Sequence, residues 1–148
     1  MVKNDKFGPI SIDEDEQEIN GYGQRTPSQL VQRIEMIIKE REMQGVPVLI
    51  LSGKLDLFAK NSLKEVIQKH KENKTQRVLI DMKSVSFIDS AGLGILAVAV
   101  KMFKDIKGNL ILVNPQEMVK GALQNANFAS LIPMFNTNDD YTEFSPLS

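Results

Sequence analysis

Cysteine is missing from all 148 residues of this chain. Disulfides and thiolate metal sites are thereby excluded, and the composition suits a reducing compartment. Histidine occurs once, at His70. A general base for serine chemistry would therefore arise only by coincidence of fold, and a metal site would rest on scattered carboxylates without recognisable ligand spacing. An excess of one charge is missing too. Eighteen basic against nineteen acidic side chains leave a net charge of −1, so no global field draws the chain to nucleic acid or a membrane surface. The segment from Met1 to Lys6 lacks the apolar core of a signal peptide. The most apolar run, Ile88 to Val100, contains Asp89 and Ser90 and is too short to span a bilayer. The expectation is a cytoplasmic protein with no metal, no cofactor, no nucleic-acid partner and no membrane partner.

What is present suffices for one core. Apolar residues make up 42% of the chain, and its length suits one domain. The first 25 residues stand apart. Asp13-Glu14-Asp15-Glu16-Gln17-Glu18 is followed by Asn20-Gly21-Tyr22-Gly23, and the apolar residues here show no period. Such a segment offers too little apolar surface to offset its ordering entropy. An acidic run is ordinarily a solvated face, and a partner-binding or metal-attracting arm is the sharper alternative. Residues 1–34 are thus expected to form an acidic, flexible extension with a short helix, and 35–148 the folded domain. Thr26-Pro27-Ser28-Gln29 is a helix start, with Thr as cap, Pro at the first helical position and Gln completing a capping box. Leu30, Val31, Ile34, Ile37 and Ile38 continue at helical spacing toward Gly45. The same stretch also allows a strand from Met36 to Met43 turning at Gln44-Gly45, and the residues alone leave that choice open.

Beyond it, apolar runs of strand length alternate with helical patterns. Val46 to Leu51 reads as a strand buried on both faces, with Pro47 tolerated near its start. Ser52 to Asp56 is its exit loop. A helix fits from Phe58 to Lys71, with Leu63, Val66, Ile67 and His70 along one side. His70, near that helix end, reads as a dipole-compensating or surface residue rather than a ligand. Arg77 to Asp81 is the next strand, a helix runs from Ala91 to Ile106, and Asn109 to Val113 is a further strand. Asn114-Pro115 starts a helix with Val119, Leu123 and Ala126 inward. Phe128 to Phe135 is an apolar connector, and Asn138 caps a last short helix to Phe144. Crossovers longer than ten residues imply parallel pairing.

The centre of the chain is Val85-Ser86-Phe87-Ile88-Asp89-Ser90-Ala91-Gly92-Leu93-Gly94. Ser is a preferred N-cap, so Ser90 is expected to cap the long helix, hydroxyl beside free amides that tolerate negative charge. Enzymatic constellations are thin. Ala91-Gly92-Leu93-Gly94 has neither the glycine spacing nor the following Lys-Ser/Thr of a phosphate-cradling loop. Ser90 does not sit in a Gly-x-Ser-x-Gly elbow. No catalytic residue is assigned.

Ile88-Asp89-Ser90-Ala91-Gly92-Leu93-Gly94 resembles the phosphoacceptor signature of the STAS family, whose best-known members are bacterial anti-sigma factor antagonists. Ser52-Gly53-Lys54-Leu55-Asp56 is similar to that family's Gly-x-Leu-Asp loop after the second strand. Leu112-Val113-Asn114-Pro115 resembles its strand-to-helix junction before the third helix. The three segments keep the family's order and spacing, and the similarity spans residues 35 to 144.

The resemblance implies a STAS-like (SpoIIaa-like) α/β domain. Its sheet would be mostly parallel and four-stranded, with an antiparallel N-terminal edge hairpin and three to four helices. This favours the strand over the helix at Met36 to Met43. It also implies partner switching. Ser90 would be phosphorylated by an anti-sigma factor serine kinase with a histidine-kinase-like ATPase fold. Unphosphorylated antagonist would sequester that kinase and free a sigma factor, and a PP2C-type phosphatase would restore it. Asp56, Asp89, Ser90, Ala91, Gly92 and Leu93 would form the partner-binding surface, Asp56 beside the phosphoacceptor and Leu93 as an apolar contact. The plain alternatives are that Ser90 is only a cap, Asp56 a loop carboxylate, Leu93 ordinary core, and Lys101, Lys104 and Lys107 a solvated stripe. Other functional classes are a non-switching subunit of a lipid-transport ATPase or stressosome-type scaffold, and a nucleotide-binding sensor.

Overall fold

The structure is a computed structural model and describes residues 36–147. The short helix expected within residues 27–33 and the acidic extension lie outside the described residues. The chain from Ile37 to Met43 is a strand, β1, antiparallel to β2 (Val46–Leu55), with Ile37 opposite Ser52 and Met43 opposite Val46. Gln44 and Gly45 join them, both at positive φ, as in a two-residue primed turn whose twist matches the strands. Helical spacing loses here because β1 needs only one buried side. Met36 is buried and Ile38 half-buried, while Ile37 faces solvent. The charged run Lys39-Glu40-Arg41-Glu42 suits a sheet edge, where charge discourages pairing with other chains.

Three further strands add in parallel: β3 (Arg77–Ile88), β4 (Asn109–Val113) and β5 (Met134–Thr137). A short antiparallel strand, β6 (Phe144–Pro146), closes the far edge, so the sheet order is β1-β2-β3-β4-β5-β6. The expected parallel core and edge hairpin are both present, and β5 and β6 extend the sheet to six strands. Three α-helices occur among the described residues: α1 (Lys60–Glu72), α2 (Ser90–Asp105) and α3 (Glu117–Asn125).

Alternation within the strands divides the core. Leu49, Leu51, Val78, Ile80, Leu110 and Leu112 face the helices and bury against Leu63, Ile67, Leu96, Phe103, Val119 and Leu123. On the opposite face Val48, Leu79 and Val113 pack with Tyr141. The near-continuous apolar run of β2 therefore does serve two buried faces.

Several local expectations give way. No helix forms from Asn138 to Phe144. Asn138 Oδ1 instead accepts hydrogen bonds from the backbone amides of Thr142 and Glu143 at 2.9 and 3.0 Å, and its side-chain amide donates to Thr142 Oγ1 at 2.8 Å. Asparagine competes with the helix in this way by closing a local turn, and Asn136 to Glu143 offers no apolar period to resist it. The helix expected from Asn114 starts later, at Glu117. Asn114 is left-handed (φ 61°); its Oδ1 accepts from Thr137 N at 2.7 Å and its Nδ2 donates to Thr137 Oγ1 at 2.9 Å, tying β4 to β5. His70 is buried in the last turn of α1 rather than on the surface. Its Nε2 lies 3.1 Å from Glu40 Oε1 and its Nδ1 3.4 Å from Thr75 Oγ1.

One polar group sits deep in the sheet. Asp81 is fully buried, and an unpaired carboxylate there would be costly. Lys83 N donates to its Oδ1 at 3.0 Å, the Tyr141 hydroxyl donates to its Oδ2, and the Lys83 ammonium stands 3.6 Å from Oδ2. Tyr141 is held in turn by the Arg41 guanidinium, 5.7 Å from its ring centre, a cation–π contact. Burial, then the hydrogen bond and charge of Asp81, push the phenol well above its ordinary pKa. Because the folded value is raised, this contribution to stability is complete below the unfolded pKa of about 10 and fades as pH climbs beyond it. Replacing Tyr141→Phe leaves the Asp81 carboxylate short of a donor. It should lower stability by about 1–3 kcal/mol in urea denaturation at neutral pH. In a Tyr22→Phe chain, where Tyr141 is the only tyrosine left, the phenolate absorption band should appear only well above pH ~10.

Candidate functional site

The candidate site lies where two parallel strands end side by side. Leu55 and Ile88 are partners at the C-terminal ends of β2 and β3. One residue on, each chain reaches an aspartate in extended conformation: Asp56 at φ −131°, ψ −166°, and Asp89 at φ −121°, ψ −170°. Asp56 Oδ1 accepts from Phe58 N at 3.0 Å and caps a short 3-10 turn, Leu57–Ala59, that leads into α1. Asp89 Oδ1 accepts from Gly92 N at 3.0 Å and caps α2. The strand does not stop at Asp81 as its apolar run suggests but continues to Ile88. Its pairing with β2 slips twice, between Ile50 and Ser52 and between Gly53 and Lys54. Bulges of this kind bend a strand and re-aim the loop at its end.

The cap of α2 is therefore Asp89, and Ser90 is the first helical residue. Both residue types cap well. Asp89 prevails because it leaves β3 in the extended conformation that a cap requires, three residues ahead of the amide it holds. The Ser90 side chain is exposed and has no hydrogen-bond partner among the described residues. Its position in the first turn keeps it beside amides that favour an anion.

Gly92 joins the two loops. A Cβ at this position would stand 2.0 Å from the Leu55 carbonyl oxygen and 2.9 Å from Ile88 Cγ1. The first turn of α2 thus rests directly on the end of β2, which sets the Ser90 turn against the start of the Asp56 loop. Ala91 and Leu93 are half-buried, and Leu93 packs against the main core. All six expected surface residues thus belong to adjoining loops and a single helical turn. Asp56 has the capping role of its plain reading, and Leu93 the core packing of its plain reading. Lys101, Lys104 and Lys107 are exposed. His70 lies elsewhere, about 15 Å along α1 from Lys60 by helical rise.

Sequence reasoning missed the buried Asp81–Tyr141 pair and the steric demand at Gly92. A charged residue inside the apolar run Val78 to Met82 is the signal that would have marked Asp81. No cluster of three or more metal-binding side chains occurs among the described residues, and no helix among them is long and apolar enough to cross a membrane.

Three substitutions separate these roles. Asp89→Ala should lose about 1 kcal/mol with the cap, whereas Ser90→Ala should stay within about 0.5 kcal/mol of the parent. Gly92→Ala forces a methyl into backbone and should lose about 1–3 kcal/mol or more. Urea midpoints of the three variants check the order.

Comparison with known proteins agrees with this architecture. The STAS domain family profile matches residues 38–141. The anti-sigma-B factor antagonist of Listeria monocytogenes is 22% identical over 107 residues, which are 72% of this chain and 93% of that protein. The structure of an anti-sigma factor antagonist from Mycobacterium paratuberculosis matches with a TM-score of 0.64 at 23% identity, covering 72% of this chain and 90% of that one. SpoIIAA in its unphosphorylated form matches with a TM-score of 0.57 at 20% identity, over 70% of this chain and 92% of that one. The Bacillus cell fate determinant SpoIIAA in its phosphorylated form gives 0.57 at 19% identity, over 70% and 94%. With its family profile spanning β1 to the Tyr141 turn and its fold shared with these structures, the protein belongs to the STAS domain family.

Proposed function

We propose that this protein is an anti-sigma factor antagonist, a binding module switched by phosphorylation of Ser90. The observation that carries the reading is the division of labour at the start of α2. Asp89 holds the cap, and the Ser90 hydroxyl stands exposed with no partner among the described residues. Relatives bearing the antagonist name support it.

In this reading the unphosphorylated protein binds an anti-sigma factor serine kinase with a histidine-kinase-like ATPase fold and releases a sigma factor. The contact surface is Asp56, Asp89, Ser90, Ala91, Gly92 and Leu93. The kinase transfers the γ-phosphoryl group of ATP to Ser90 Oγ, the hydroxyl proton passes to a base on the kinase, and ADP leaves. A PP2C-type phosphatase hydrolyses the ester and returns the hydroxyl. The chain is a substrate rather than a catalyst, needs no cofactor of its own, and works in the cytoplasm through residues 35–148.

Electrostatics argues for a surface effect rather than refolding. A phosphoryl group adds about −1.5 to −2 charges at neutral pH. At a helix N-terminus that charge is favourable by about 0.3–1 kcal/mol, while Asp89 and Asp56 nearby oppose it. The helix keeps its cap, and the partner meets added charge and bulk. That SpoIIAA has been solved with this fold in both phosphorylation states is consistent with a switch of this kind.

The test is to incubate the full chain with Mg-ATP and each serine kinase of this ATPase fold from the same genome. Mass spectrometry should locate one phosphate, on Ser90. Ser90→Ala should bind the kinase and accept none, and the far-ultraviolet circular dichroism of the phosphorylated chain should match the parent. Phosphate elsewhere, or none with any such kinase, would overturn the reading.

A further inference from the structure

Between α1 and α2 runs a groove of about 390 Å³ that the Ser90 site does not use. It opens at Leu57 and Ala91, one residue from Ser90. Its floor is apolar, formed by Ile67, Ile95, Val98 and Met102. At the other end the helices are tied by Lys71 and Asp105, whose charged atoms lie 3.8 Å apart. From Ala91 to Met102 the helix rises about 16 Å, the length of three helical turns.

Two features mark it as a docking surface. Val98 and Leu57 are 53% and 62% exposed and line the same groove, so apolar surface is there for a partner to cover. Lys60 and Lys64 stand on successive turns of one rim. Neither makes an ion pair or side-chain hydrogen bond among the described residues, and no carboxylate among them lines the groove. An apolar floor edged by two ammonium groups is complementary to a helix with an apolar stripe and acidic flank, the helix-in-groove mode of recognition.

We infer that this groove receives an amphipathic, acidic helix of the anti-sigma kinase, so that one partner spans the groove and the Ser90 turn. The inference rests on the reading of Ser90 as that kinase's substrate. It gives the switch a second lever. Ala91 lines the groove and Ser90 precedes it, so a phosphoryl group on Ser90 stands at the groove's mouth. Lys60 and Lys64 attract the acidic helix, and the phosphate repels it.

The experiment uses the full chain and the kinase that phosphorylates Ser90, with binding measured by calorimetry. Lys60→Glu/Lys64→Glu and, separately, Val98→Glu should each weaken binding at least tenfold. Both change exposed positions, and unaltered urea midpoints would show that the fold is kept. Glu65→Lys, outside the groove on α1, should bind as the parent does. Raising salt should weaken the parent more than a Lys60→Gln/Lys64→Gln chain. Parent-like affinity of both groove variants, with Ser90 still phosphorylated, overturns the groove and leaves the Ser90 reading standing. No phosphate on Ser90 with any such kinase overturns both. Self-association of the chain that Val98→Glu abolishes would assign the groove to a second copy and overturn the inference.

Discussion

The contact on which the site depends is between two backbones. The Leu55 carbonyl at the end of β2 meets the first turn of α2 at Gly92, where no side chain intervenes. Strand pairing at Leu55 and Ile88 sets the two chain ends level, and Gly92 lets the helix close down on them. The function proposed for the region depends on this closeness. Two aspartates, a serine and the mouth of a groove come from segments more than thirty residues apart and meet at the C-terminal ends of β2 and β3.

Both caps at these strand ends are carboxylates, and this has an energetic meaning. Each aspartate leaves its strand in an extended conformation and accepts from an amide in the turn just beyond it. Each turn is thereby fixed by a hydrogen bond of its own. In the proposed switch, a modified residue on such a surface would change what a partner meets more than it changes the fold. The buried Asp81, held by Tyr141 and Lys83 on the face of the sheet away from the helices, braces the strand that leads to Ser90.

Much of this was legible in the sequence, and the reasons for success and failure are physical. The apolar runs of β2, β3 and β4 are buried on two faces, and such runs announce themselves. Their long crossovers imply parallel order. The strand ends were harder. Beyond Asp81 the chain reads Met82-Lys83-Ser84-Val85-Ser86-Phe87-Ile88, with polar residues where a buried strand would be apolar. It stays a strand because bulges turn Lys83, Ser84, Ser86 and Phe87 outward while Val85 and Ile88 remain inside. Asn114 and Asn138 misled for one shared reason. Asparagine at a strand exit signals a helix start, yet its amide serves equally well to bind a neighbouring loop or close a turn. Nothing local says which bond it will make.

The reassignment of the cap from Ser90 to Asp89 bears directly on function. Had Ser90 been the cap, its oxygen would be accepting a backbone amide, and esterification would alter a bond that holds the helix. A switch built that way would trade stability for signal at every cycle. With Asp89 in that role the hydroxyl is relieved of structural duty, and the amides of the first turn lie close enough to favour the added charge. The same turn carries Ala91 into the groove beside Lys60 and Lys64. Charge placed on Ser90 would therefore be tolerated by the helix that bears it and felt by a partner lying along that helix, which is the asymmetry the proposed partner exchange requires.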